Sequence, residues 1–95
     1  MGDAQADNTT FIDNDRLRVT EWRFTPGSET GWHRHEYDYL IVPMLSGKLR
    51  LETAENSETL ADLQKGTPYF REAGIEHNVI NANHFDFSFI EVEFK

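Results

Sequence analysis

Thr30-Gly31-Trp32-His33-Arg34-His35-Glu36-Tyr37 and, further along, Gly74-Ile75-Glu76-His77-Asn78 are the two stretches on which the reading of this chain turns. Side chains alternate along an extended strand, so His33 and His35 project from one face. A third imidazole from a neighbouring strand, His77, completes a set that can hold one metal ion and leave coordination positions open for substrate. Histidines at this spacing also occur as surface or hydrogen-bonded core residues. The flanking pattern therefore has to decide.

Outward from these stretches, turn signals recur at short intervals: Pro26-Gly27, Ser46-Gly47, Glu55-Asn56-Ser57, Lys65-Gly66, Ala73-Gly74 and Asn81-Ala82-Asn83. Between them lie short runs with period-two patterning. Lys48-Leu49-Arg50-Leu51-Glu52-Thr53 alternates cleanly, and Tyr39-Leu40-Ile41-Val42 is nearly all apolar, as in a strand buried on both faces. Thr59 to Leu63 reads as a strand or a short helix; Thr67 to Arg71 and Glu76 to Asn81 read as strands. Leu17 and Val19 alternate in one phase and Trp22 and Phe24 in the other, which predicts a bulge or bend between them. Phe85, Phe87 and Phe89 give way to Ile90, Val92 and Phe94 in the opposite phase, which predicts a bend near Phe89. About eight short strands with regular turns and no convincing helix indicate an all-β sandwich or barrel.

The spacing of glycines and histidines resembles the cupin superfamily. Gly27 is followed by five residues and then His33-Arg34-His35, and Gly47 closes that segment. Gly66 is followed by five residues, Glu72-Ala73-Gly74, two more, His77, three more and Asn81. The resemblance spans Gly27 to Asn81 and implies an all-β cupin double-stranded β-helix, or jelly-roll barrel, with His33, His35 and His77 as metal ligands. It also implies a divalent transition metal (Fe, Zn, Ni or Mn), because neutral imidazole suits all of them. Glu72 stands where the family has a proline. The motif glutamate is missing: depending on spacing, Leu40 or Tyr39 takes its place. Leucine cannot ligate a metal. Tyr39 is expected to act as a hydrogen-bond donor or weak fourth ligand. The segments around both histidine stretches are similar to those of small bacterial cupins assigned to β-alanine degradation, a label that implies a pathway rather than a reaction.

Gly27, Gly47, Gly66 and Gly74 are expected at strand reversals that demand left-handed backbone angles. Asn78 and Asn81 are candidates to orient His77 by hydrogen bonds, or else turn residues. Arg71 can present its fork to a substrate carboxylate or sit in a rim salt bridge. Trp22, Trp32 and Tyr69 are candidate pocket or core aromatics, and His84 is expected to be exposed and outside the site.

Ninety-five residues make one domain with a small core. Residues 1–10 are polar after Met1 and are expected to form a loose tail, with a single cupin domain over 11–95. A net charge of −8, from 17 acidic against 9 basic residues, argues against nucleic acid. No apolar run approaches a membrane span. The absence of cysteine excludes a disulfide framework and a thiolate site. These features favour the cytoplasm. The exposed sheet edges of so small a domain favour a homodimer, as does the family. The functional expectation is an enzyme acting on a small molecule, an O2-dependent oxygenase or a metal-assisted isomerase or lyase. The alternative is a non-catalytic cupin that binds or senses a small ligand.

Overall fold

The short runs between the turn signals fold as strands: β1 (Asp7–Asp13), β2 (Leu17–Phe24), β3 (His33–Arg34), β4 (Asp38–Pro43), β5 (Gly47–Glu52), β6 (Glu58–Leu63), β7 (Tyr69–Arg71), β8 (Glu76–Asn81) and β9 (Phe87–Phe94). The computed structural model describes residues 4–95. A single 3₁₀ turn, Ala54–Asn56, links β5 to β6. Two antiparallel sheets face each other, one ordered β1-β2-β9-β4-β7 and the other β3-β8-β5-β6. This is the double-stranded β-helix.

The barrel has two unlike ends. At one end the inner face is apolar: Phe24, Leu49, Phe87 and Phe89 are almost wholly buried, and the Phe24 and Phe89 rings pack 5.4 Å apart. Each such side chain contributes on the order of 1.5–3 kcal/mol by leaving water. At the other end the same strands line a cavity of ≈ 530 Å³.

That division corrects two expectations. β2 pairs with β9 in one unbroken register from Leu17↔Phe94 to Phe24↔Phe87, without a bulge. The inner face of β2 is Phe24, Trp22, Thr20 and Arg18; that of β9 is Phe87, Phe89, Glu91 and Glu93. Both faces turn from apolar to polar where they leave the packed end and enter the cavity. Leu17, Val19, Ile90 and Val92 point outward. The change of hydrophobic phase marks the cavity, not a break in the pairing. The bulge lies instead in β1, between Thr10 and Ile12.

The expected loose tail is also revised. Met1–Asp3 lie outside the described residues. Beyond them, Asp7 to Thr10 already belong to β1, which pairs with β2. Ala6 is 4% exposed, its N–H donates to Glu29 O at 2.8 Å, and Glu29 N–H donates to Ala4 O at 2.9 Å. Polar β-formers here pair on one edge and face the solvent and cavity rim, so their low hydropathy conceals a strand. In β4 only Tyr39, Ile41 and Pro43 are fully buried, so one face, not both, is covered.

Gly27, Gly66 and Gly74 take positive φ of 78°, 76° and 99°, as turns there require. Gly47 does not: a Cβ at that position would lie 2.8 Å from Asn83 Oδ1 and 3.0 Å from the Phe87 ring. Crowding, rather than backbone angle, keeps it glycine.

Candidate metal centre

His33 and His77 face each other across the β3–β8 pair. His35 follows β3 in the connection to β4, with its N–H donating to Ile75 O at 2.9 Å. The three imidazoles converge. His35 Nε2 lies 3.0 Å from His33 Nε2 and 3.0 Å from His77 Nε2. The three rings stand edge-on to one another, at 70° to 82°. Among the described residues this is the one cluster of histidine and acidic side chains placed to hold a metal ion.

The protonation pattern suits a metal. His33 Nδ1 is 2.8 Å from Gly31 O. A carbonyl only accepts, so Nδ1 holds the proton and the Nε2 lone pair faces the other rings. Burial drives the His35 imidazolium pKa down to about 4, with His33 adding to the effect. It drives that of His77 down to about 3, helped by His33 and His35. At neutral pH both are uncharged and able to ligate. The three candidate ligand atoms all lie within 4.8 Å of one another, close enough to be shared by one ion. The residues present therefore fit a mononuclear ion.

Tyr39 comes to the site by stacking. Its ring lies 3.9 Å from that of His35 at 16°. Burial, with Tyr69 and Glu91 nearby, raises its hydroxyl pKa above the ordinary range, so it keeps its proton and can donate. Among the described residues no hydrogen bond joins that hydroxyl to a histidine. Tyr39, not Leu40, is the inward residue at the place of the motif glutamate, since Leu40 points to the opposite face of β4.

Asn78 acts on a different histidine from the one expected. It is buried and alternates away from His77. Its Oδ1 accepts Gly31 N–H at 2.9 Å; its Nδ2 donates to Glu29 and, at 3.1 Å, to Glu52. Asn78 thus positions Gly31, whose carbonyl holds His33. Asn81 is not brought to the site. It bonds Phe24 O at 3.3 Å, Phe85 O at 2.9 Å and Asn83 at the packed end, where it pins the β8–β9 turn. Trp32 is 54% exposed and His84 is exposed in its bend; neither lines the cavity. Trp22, Tyr69 and Arg71 do line it.

Sequence reasoning missed the polar wall across from the histidines. Arg18 grips Glu93 with two bonds, Nε to Oε1 at 2.7 Å and Nη2 to Oε2 at 3.0 Å. Glu91 lies beside it, with Oε2 3.9 Å from His35 Nδ1. Burial, with Glu93 adding, raises Glu91 to about 7 against the pull of Trp22 and Arg18. The signal was present: Phe87, Phe89, Glu91 and Glu93 keep one parity.

The fold has counterparts among known proteins. The family model described as "Cupin domain" matches residues 20–93. The chain is 52% identical over 94 residues to the β-alanine degradation protein BauB of Pseudomonas aeruginosa PAO1, covering 99% of this chain and 98% of that protein. A crystal structure of a cupin domain from Bordetella pertussis Tohama I superposes with a TM-score of 0.95 at 52% identity, over 100% of this chain and 98% of that one. The polyketide cyclase RemF of Streptomyces resistomycificus shares the fold, with a TM-score of 0.75 at 21% identity over 98% of this chain and 67% of its own. Two sheets enclosing a three-histidine cluster, a family match over most of the chain and full-length relatives at half identity lead to one conclusion: this chain belongs to the cupin family.

Proposed function

We propose that this cupin is a metal-dependent enzyme acting on a small molecule, an oxygenase or an isomerase or lyase, with its metal held by His33, His35 and His77. The observation that carries the reading is the convergence of three Nε2 atoms, two of them on imidazoles that burial keeps neutral, in the wall of a cavity of ≈ 530 Å³. That volume lies in the range of small-molecule sites. When bound, a divalent ion would supply Lewis-acid polarisation or O2 chemistry to a substrate sharing its open positions. Three neutral imidazoles would suit a divalent transition metal, Fe, Zn, Ni or Mn.

The chain's own residues have separate parts. Gly31 O holds the proton of His33 on Nδ1. Tyr39 backs the His35 ring and offers a hydroxyl proton. Trp22, Ile41, Leu49 and Phe89 give part of the cavity an apolar lining. The similarity to BauB supports a role in β-alanine breakdown and names no reaction.

We also propose a homodimer and a cytoplasmic location. The outer face of the larger sheet supports association. Val19 lies opposite Ile12 and Val92, and Leu40 opposite Val92 and Phe70, which builds an apolar strip with Ile12 and Phe70 about half exposed. An uncharged strip on one sheet face suits an isologous contact with a second copy. Sedimentation should give twice the chain mass, and a monomer at micromolar concentration would remove the dimer. Cell fractionation tests the location.

The function is tested by elemental analysis of tag-free protein beside the His33→Ala variant. One metal per chain, lost in the variant, is expected. Metal-dependent O2 uptake or turnover then marks an enzyme; ligand-induced thermal stabilisation without product marks the binder instead. Wild-type protein without metal would overturn the reading.

A further inference from the structure

The cavity carries at its rim an exposed guanidinium, that of Arg71, which nothing yet described employs. Three arginines line it. Arg18 is locked to Glu93 by two bonds. Arg34 is exposed, lies opposite Glu76 across the β3–β8 pair and is unpaired as well among the described residues, but it alternates with His33 and His35 rather than facing Tyr39. Arg71 shares the inner face of β7 with Tyr69 and lies directly across from Tyr39. Its guanidinium carbon sits 4.5 Å over the Tyr69 ring, and one Nη1–H is spent on Phe70 O at 2.9 Å.

Among the described residues no carboxylate lies within ion-pair distance of Arg71. In a chain with 17 acidic and 9 basic residues, Arg18, Arg23 and Arg50 are ion-paired, whereas Arg71 keeps its charge uncompensated at the cavity. Stacking on Tyr69 and the bond to Phe70 O fix the planar group in advance and leave the rest of its fork free. A planar, pre-positioned guanidinium matches a carboxylate in two-point contact.

We infer that Arg71 anchors a substrate carboxylate, so that the substrate class is short organic acids of a few carbons. The inference deepens the proposed function and rests on it. Arg71 neighbours Tyr39 across the strand pair, and Tyr39 stacks on His35. A ligand held by its carboxylate at Arg71 passes along the Tyr39 ring and brings its other end to the histidines. The apolar walls at Trp22, Ile41 and Phe89 suit a short carbon chain between the two polar ends. Arg71 is thus a binding residue, and its loss should raise KM far more than it lowers kcat.

The test uses 3-hydroxypropanoate, which carries a carboxylate, a short spacer and an oxygen donor, against 3-hydroxypropanamide, which lacks only the charge. Calorimetric titration is run on protein whose metal content has been measured. The wild type should prefer the acid to the amide by about tenfold or more, and Arg71→Gln should weaken acid binding by about 30-fold and abolish the preference. Arg71→Lys keeps the charge without the fork and should fall between them. Arg23→Gln removes the same charge from outside the cavity, where Arg23 pairs with Glu21, and should behave as wild type. An acid preference that survives in Arg71→Gln, or none in the wild type, overturns the inference. Metal content separates this failure from the other. Metal present with an Arg71-independent preference sinks the anchor alone, whereas an Arg71-dependent preference in metal-free protein sinks the metal reading alone.

Discussion

Replacing Asn78 by alanine isolates the support beneath His33 from the histidine itself. The Asn78 amide is fully used: one accepted bond from Gly31 N–H and two donated to carboxylates. In Asn78→Ala the Gly31 N–H loses its acceptor, at a cost of about 1–3 kcal/mol. Glu29 and Glu52 lose the donor between them, a smaller loss because both are partly exposed and water can replace it. The total is about 3 kcal/mol, which in a domain of this size lowers Tm by roughly 10–20 °C. Gly31 O then holds His33 less firmly, and metal affinity should fall about 10- to 100-fold. Circular dichroism melts of chelated protein give the first quantity, and competition with a fluorescent chelator gives the second. Asn78→Asp sharpens the test. It keeps an acceptor for Gly31 but sets a third carboxylate against Glu29 and Glu52, so at pH 7 it should be less stable than Asn78→Ala. A Tm within two or three degrees of wild type, with unchanged metal affinity, would refute the argument.

The metal-free protein should lose stability as pH falls from about 6.5 towards 4. His35 and His77 have folded pKa values below the unfolded 6.5, so the unfolded chain takes up protons first. The slope is about 1.4 kcal/mol per pH unit for each histidine. Glu91, raised from 4.5 to about 7, works in the opposite direction: its contribution is complete below 4.5 and is lost as pH rises through 7. Urea unfolding from pH 4.5 to 6.5 should therefore show a steeper slope in Glu91→Gln than in wild type, and equal slopes would contradict the assignment. Tyr39→Phe should keep the stack on His35 and full metal content while losing activity. Tyr39→Ala should cost about 3–5 kcal/mol, measured by denaturant titration. Gly47→Ala should destabilise by about 1–3 kcal/mol by displacing Asn83, and a melt indistinguishable from wild type would show that the turn yields freely.

The histidine set was legible because its chemistry depends on residue type and spacing alone. A two-residue step puts His33 and His35 on one side of any extended segment, and the glycines that frame them mark reversals. The all-β character was legible for the same reason. Polar positions were read less well, since alternation equates inward with apolar. Where the inner face lines a cavity, that equation fails. Glu91 and Glu93 were read as outward and Ile90 and Val92 as inward, and a bend was inferred where the strand pairs without a break. The N-terminal segment was misread on the same grounds.

By itself, the order of residues determined an all-β fold, a three-imidazole set and a net charge of −8. These follow from local periodicity, side-chain chemistry and net charge, all of which are properties of neighbours along the chain. Only the tertiary structure decided that Asn78 serves His33 through Gly31, that Asn81 belongs to the packed end, that Tyr39 stacks on His35, and that Arg71 stands unpaired at the cavity. Each of those depends on which strands lie side by side and which face closes on which. Pairings between distant residues are set by the register of two sheets against each other, and no window along the sequence contains both partners.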